Sequence, residues 1–179
     1  MKSPTTLSQH GKLFRQMLAA WKIDDPRGIE LIRAINGTAR MLEVLADHGL
    51  QTRGLSLPRL RLMLVLYAEE QNGDRAGISP SHLSEWQHIS KNTVSSLLES
   101  LEDDGLIERT LNPEDKRKFN IRLTRAGKSL IAQVMPEHST QLADAVAVLT
   151  SEEQNTLLKL LDKLRGSLKE KLIQQRAEK

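Results

Sequence analysis

The most constraining feature of this sequence is a change of hydrophobic period that follows two closely spaced helix starts. Ser79 with Pro80 begins one short helical pattern, and Ser90 caps a second pattern that ends at Gly105. After Gly105 the segments LIERTL and FNIRL alternate apolar and polar residues, which is typical of strands, and the turn sequence around Pro113 separates them. The order predicts a unit of two short helices followed by a β-hairpin.

Helical spacing of apolar residues predicts long helices on both sides of this unit. One runs from Pro26 towards Gly49, another runs from Thr124 to about Leu149, and a last helix follows Thr150. The hydrophobic share of 39% supports a real core, while aromatic residues make up only 3% of the chain. We therefore expect a mainly α fold with one small β-hairpin.

Several classes of protein are excluded or disfavoured by the composition. The chain has no cysteine, which removes disulfides, thiol-based sensing and cysteine–zinc sites. His82, Glu85 and His88 lack the spacing of a metal site on one helix face. No Gly-rich phosphate loop, G-x-S-x-G or H-E-x-x-H motif occurs, so we expect no enzyme activity, no catalytic residue, no metal and no cofactor.

The chain also lacks the patterns that direct a protein to a membrane. No apolar run approaches the ~20 residues that span a bilayer, and the N-terminus has no apolar signal-peptide core. We expect a soluble, cytoplasmic protein with no membrane contact.

The helix that follows Ser90 has an apolar face and an opposite face that is polar or basic near its start. Acidic residues crowd its C-terminal end, where they oppose the helix macrodipole. The start of a helix attracts phosphate, and Asn, Ser and Thr side chains can bond to bases or phosphates. The candidate DNA-contacting residues of this helix are Ser90, Lys91, Asn92, Thr93, Ser95 and Ser96.

The turn of the hairpin places three cations side by side, which costs stability unless an external anion binds them. An arginine at the tip fits a narrow minor groove, and Asp115 could hold Arg117 extended through a charge-assisted hydrogen bond. The basic ribbon around the hairpin also includes Arg109, Arg122 and Arg125. The candidate DNA-contacting residues of the turn are Asp115, Lys116, Arg117 and Lys118.

The segment LSEWQHISKNTVSSLLESLEDDGLIERTLNPEDKRKFNIRLTRAGKSL resembles the winged helix-turn-helix of the multiple antibiotic resistance regulator (MarR) family. The likeness lies in TVSSLLESLEDDGLIER, in the Asp-x-Arg tip at Asp115 and Arg117, and in LTRAG, and it extends from about Asp25 to Leu172. The resemblance implies a homodimer joined by N- and C-terminal helices, with Arg117 in the minor groove and the Ser90 helix in the major groove. It also implies a repressor that releases a palindromic operator in double-stranded DNA when a small aromatic or phenolic effector binds.

With this interpretation, the chain is a winged helix-turn-helix domain with N- and C-terminal dimerisation helices. Arg40 and Tyr67 are candidates for contact with an effector, and Trp21 and Trp86 are expected to be packing residues. The predicted regions are an extra N-terminal helix at 1–24, a helical dimerisation region at 25–55 and 125–172, the DNA-binding domain at 56–124, and a polar tail at 173–179.

Two alternatives remain open at the level of sequence. The basic turn could be a solvated surface that protects an edge strand. The whole unit could also be a protein–protein interaction module without specific DNA recognition, because Ser96 stands where many relatives have a basic residue and Glu99–Asp104 is acidic.

We predict that Arg117→Ala weakens binding to the operator by ~1–3 kcal/mol, because the variant loses a groove contact. A gel-shift titration on the protein's own promoter fragment, repeated at several salt concentrations, measures the loss and any change in salt dependence. Unchanged binding would contradict the role assigned to the turn.

Overall fold

The structure is a computed structural model with six helices and two strands in the residues that it describes. The described residues are Gly11, Phe14, residues 16–18, Ala20, Trp21, and residues 25–72, 77–87, 89–112 and 119–177. The elements are α1 (Arg27–Gln51), α2 (Leu57–Gln71), α3 (Pro80–Gln87), α4 (Lys91–Asp103), β1 (Ile107–Leu111), β2 (Phe119–Leu123), α5 (Arg125–Val146) and α6 (Ser151–Ala177). The expected mainly α fold with a small β-hairpin is confirmed.

The chain divides into two units, Met1–Leu45 and Ala46–Lys179. In the first unit Leu18 is buried, and the guanidinium carbon of Arg33 lies 4.7 Å from the centre of the Phe14 ring, a cation–π contact. Trp21 is 65% exposed, so the expectation that it is a packing residue is wrong within the single chain.

The core of the second unit is aliphatic and lies beneath the two short helices and the hairpin. Each surrounding element contributes its apolar face, as the helical and alternating periods predict. Ile78, which precedes α3, extends the hairpin, because its N–H donates to the carbonyl of Ile121 at 3.1 Å and its carbonyl accepts from the N–H of Ile121 at 2.8 Å. The fully buried core side chains include Leu60, Leu62, Met63, Leu83, Val94, Leu98, Leu101 and Ile121.

The end of α4 and the start of α5, which flank the hairpin in the sequence, pack closely against each other. Gly105 has a φ of 68°, and the N–H of Leu106 donates to the carbonyl of Leu101 at 2.9 Å. The hydroxyl of Thr124 donates to the carbonyl of Gly105 at 2.7 Å and accepts from the N–H of Gly127 at 3.1 Å. A Cβ on Gly127 would lie 2.2 Å from the carbonyl oxygen of Leu106, so only glycine fits. The LTRAG sequence therefore holds α5 against the end of α4.

The last helix, α6, leaves its apolar side chains uncovered. None of its described side chains is buried over the 27 residues of the helix. In the first unit, α1 likewise exposes Ile32, Met41 and Val44. None of the helices in the described ranges is both long enough and apolar enough to cross a membrane. The exposed apolar side chains of α6 are Leu157, Leu158, Leu160, Leu168, Leu172 and Ile173.

A carboxylate at the end of α1 caps α2. Ser56 occupies the N-cap position of α2, but its side chain makes no capping hydrogen bond. Instead, Asp47 accepts from the N–H of Leu57 at 2.8 Å and from the side-chain amide of Gln51 at 2.8 Å. The hydrogen bond from Leu57, followed by the one from Gln51, lowers the pKa of Asp47 because both bonds favour its charged form.

We predict that Asp47→Ala lowers the free energy of unfolding by about 1 kcal/mol at neutral pH, whereas Ser56→Ala changes it much less. Because the pKa of Asp47 is lower in the folded protein, its stabilisation is present above the unfolded-state pKa and fades as the pH falls through the folded-state pKa. Urea unfolding of both variants at neutral and acid pH measures the effect. Equal losses for the two variants, or a loss that grows in acid, would contradict the assignment.

Candidate nucleic-acid interface

Helix α4 is held by buried side chains on one face and by a capping hydrogen bond at its start. Val94, Leu98 and Leu101 are buried, so the opposite face of the helix is turned to solvent. The hydroxyl of Ser90 accepts from the N–H of Thr93 at 3.1 Å, and the two hydroxyl oxygens lie 2.8 Å apart. The side chain of Ser90 thus satisfies one of the free N–H groups of the first turn. The predicted contact residues Ser90, Lys91, Asn92, Thr93, Ser95 and Ser96 are all exposed.

These exposed side chains differ in what they can offer to a ligand. The hydroxyls of Ser90 and Thr93 are engaged with each other, and the Ser96 hydroxyl donates to the carbonyl of Asn92 at 3.2 Å. In the part of the chain that the structure describes, the side chains of Lys91, Asn92 and Ser95 have no hydrogen-bond or ion-pair partner. An ammonium, an amide and a hydroxyl on one helix end suit phosphates and base edges.

A buried asparagine fixes the hairpin near the end that leads into its turn. The side-chain amide of Asn112 donates to the side-chain oxygen of Asn120 at 3.1 Å, and Asn120 is buried. The four predicted contact residues of the turn lie outside the described residues, so their role stays a prediction. They are Asp115, Lys116, Arg117 and Lys118.

Two acidic residues at the C-terminal end of α4 form ion pairs. Arg109 Nε donates to a carboxylate oxygen of Glu102 at 2.7 Å, which engages one member of the predicted basic ribbon. Arg59 of α2 pairs with Asp104, and its guanidinium also donates to the carbonyl of Ser100 at 3.4 Å. Only 13% of the Arg59 side chain is exposed. These acidic side chains therefore help to hold the end of α4 in place, a role that the charge pattern alone did not indicate.

An apolar cleft of about 570 Å³ separates α2 from the end of α3 and the start of α4. Trp86 lines it and is 56% exposed, so the expectation that it is a packing residue is wrong within the single chain. Thr93 and Leu97 of α4 also line the cleft. The lining residues are Pro58, Arg61, Leu64, Val65, Ala68, Trp86, Ile89, Thr93 and Leu97.

Neither of the two residues proposed for effector contact is among the described lining residues of this cleft. Tyr67 is on α2 and is 38% exposed, but it is not among the described residues that line the cleft. Arg40 lies in α1 within the first unit. Their assignment stays a prediction.

The histidines and acidic residues do not assemble into a metal site in the described part of the chain. No group of three or more His, Asp or Glu side chains there could hold a metal ion. His82 and Glu85 lie on α3, and His88 is outside the described residues.

Comparisons with known proteins agree with this geometry. The MarR family model matches residues 53–118. The HTH-type transcriptional repressor YetL of Bacillus subtilis is 28% identical over 78% of this chain and 81% of its own, and the HTH-type transcriptional regulator PecS of Dickeya dadantii is 31% identical over 74% and 80%. The crystal structure of the S. aureus MepR–DNA complex superposes with a TM-score of 0.66 at 25% identity, covering 77% of this chain and 96% of that one.

We predict that Ser90→Ala lowers the free energy of unfolding by about 1 kcal/mol, because the first turn of α4 loses its cap. Ser95→Ala is the matched control on the same helix, since that hydroxyl has no partner among the described residues and alanine has the higher helix propensity, so stability should be unchanged or slightly raised. Chemical unfolding of the two variants makes the comparison. A similar loss in both would show that the cap is not what stabilises this helix start.

Proposed function

Because this chain belongs to the MarR family, we propose that it is a sequence-specific, DNA-binding transcriptional regulator that acts in the cytoplasm as a homodimeric repressor and not as an enzyme. The observation that carries the proposal is the exposed start of α4, where Lys91, Asn92 and Ser95 lack partners in the described part of the chain. The fold likeness to a regulator solved in complex with DNA supports it.

The dimensions and polarity of α4 suit a major groove. An α-helix with its side chains is about as wide as the major groove of B-DNA. The N-terminal end carries the partial positive charge of the helix dipole, and Lys91 adds a full charge there. Asn92 can pair with an adenine edge, while Ser95 can bond to either phosphate or base. The basic turn at Lys116–Lys118 would then approach the neighbouring minor groove.

The homodimer is supported by the uncovered apolar residues of α6. A monomer in water rarely exposes a long row of leucines, and such surfaces mark protein contacts. A second copy would cover this row by a two-fold symmetric contact. Two reading helices on one duplex also raise affinity, because the second contact becomes intramolecular.

A small aromatic or phenolic effector would fit the cleft between α2 and α4. The cleft is lined mainly by apolar side chains, and the exposed indole of Trp86 offers a face for ring stacking. Because Thr93 and Leu97 belong to α4, a bound molecule would act directly on the reading helix.

Selection of bound sequences from random double-stranded DNA by the full chain tests the proposal. We expect an imperfect palindrome whose half-site centres lie about 10 base pairs apart, protected in a footprint at physiological salt. Asn92→Ala should relax the preference at one position of each half-site. Selection repeated with phenolic compounds present should reduce recovery.

Absence of an enriched sequence, together with no protected site, would contradict this function and favour the protein–protein interaction module. A single unrepeated half-site would contradict the homodimer while leaving DNA recognition standing.

A further inference from the structure

The hairpin carries two large apolar side chains beyond the edge of the core. Leu111 and Phe119, called here the apolar wing pair, are directly opposite each other in the β1–β2 register. Residues opposite each other, and those two positions apart along a strand, share one face of a hairpin. The apolar wing pair therefore continues the face that holds Ile107, Ile121 and Leu123.

Burial along this face ends abruptly. Ile107, Ile121 and Leu123 are almost completely buried, whereas Leu111 is 57% exposed and Phe119 is 48% exposed. The chain contains only two phenylalanines, and folding does not explain why one stands here. Threonine would suit an exposed strand position equally well and would leave less apolar surface in water.

The face that carries the apolar wing pair is turned towards α4. Arg109 lies two positions before Leu111 on β1, on the same face, and its Nε donates to Glu102 of α4 at 2.7 Å. Leu111 ends β1 and Phe119 begins β2, so the pair consists of the strand residues nearest to the turn in the sequence, and a duplex contacted by that turn would come close to them.

The neighbouring charges indicate what kind of partner fits. Lys118 directly precedes Phe119 in the chain, and Lys116 and Arg117 come before it. The apolar wing pair is therefore next to a cationic segment in the sequence. A nucleic-acid backbone offers the complement, because its phosphates are anionic while the sugar walls of its minor groove are apolar. Proteins that enter the minor groove often place Phe or Leu in it as apolar wedges, so such side chains are compatible with that groove.

We propose that Leu111 and Phe119 pack against the deoxyribose walls of the minor groove in bound DNA and add a salt-independent part to the affinity. The proposal rests on the proposed function, since it concerns the same bound duplex. It differs from a phosphate contact in a measurable way, because apolar packing releases no counterions.

The test uses the full chain, the selected operator and the variants Leu111→Thr and Phe119→Thr, singly and combined. We expect the double variant to lose about tenfold in affinity, equally at every salt concentration from roughly 50 to 200 mM. Phe119→Leu, which keeps an apolar side chain, should retain most of the affinity. Lys116→Ala is the contrasting control, and it should reduce the slope of log K against log salt by about 0.9 for one lost phosphate contact.

Unchanged affinity of the double variant would overturn the inference. A loss accompanied by a smaller salt slope would also overturn it, because the substitutions would then act by displacing the cations of the turn. Thermal melting and sedimentation of each variant establish that fold and oligomeric state are kept, and a change in oligomeric state in place of DNA affinity would assign the pair to a protein contact. If the unaltered protein selects no DNA at all, the proposed function itself has failed, which separates the two results.

Discussion

The orientation of the exposed face of α4 depends on how firmly the opposite, buried face is packed in the core. Val94, Leu98 and Leu101 fill the aliphatic core, so the helix cannot rotate without uncovering them. At the far end, the pairing of Arg59 with Asp104 and the close packing of Gly127 on Leu106 fix its position along the core. A polar helix face becomes a reading surface only when such restraints set its orientation in advance.

The same restraints connect α4 to the other parts of the proposed interface. The hairpin begins at the junction that ends α4, and the Glu102–Arg109 ion pair bridges helix and strand. The cleft beside Trp86 is lined in part by Thr93 and Leu97 of the same helix. Bound DNA, the hairpin and a molecule in the cleft would therefore all act on one rigid helix. In the proposed homodimer, the exposed leucines of α6 would provide the contact that brings two such helices to one duplex.

Local patterns in the sequence were enough to predict most elements of the fold. Capping and periodicity act over a few residues, so the starts at Ser90 and Thr124, the glycine end at Gly105 and the alternating hairpin are confirmed. The exposure of the α4 face follows from the same 3.6-residue period. Helix α5 ends at Val146, slightly before the expected Leu149, because the N–H groups of Ala147 and Leu149 donate to carbonyls three residues earlier and tighten the chain into turns.

Contacts that join separate elements were not predictable in this way. Asp47 caps a helix ten residues further on, and Arg59 pairs with a residue 45 positions away, so neither contact is visible in a local pattern. The hydrophobicity of Trp86 predicts burial, but the position of the cleft leaves the indole exposed.

Thr93 has a consequence for how a protein of this kind can change over time. Its hydroxyl touches the cap of the reading helix, and the same residue lines the cleft. With the functions proposed here, one side chain would affect both which effector binds and which DNA sequence is preferred. A substitution selected for a new inducer at that position would also alter the preferred binding sequence, so the two specificities would evolve together.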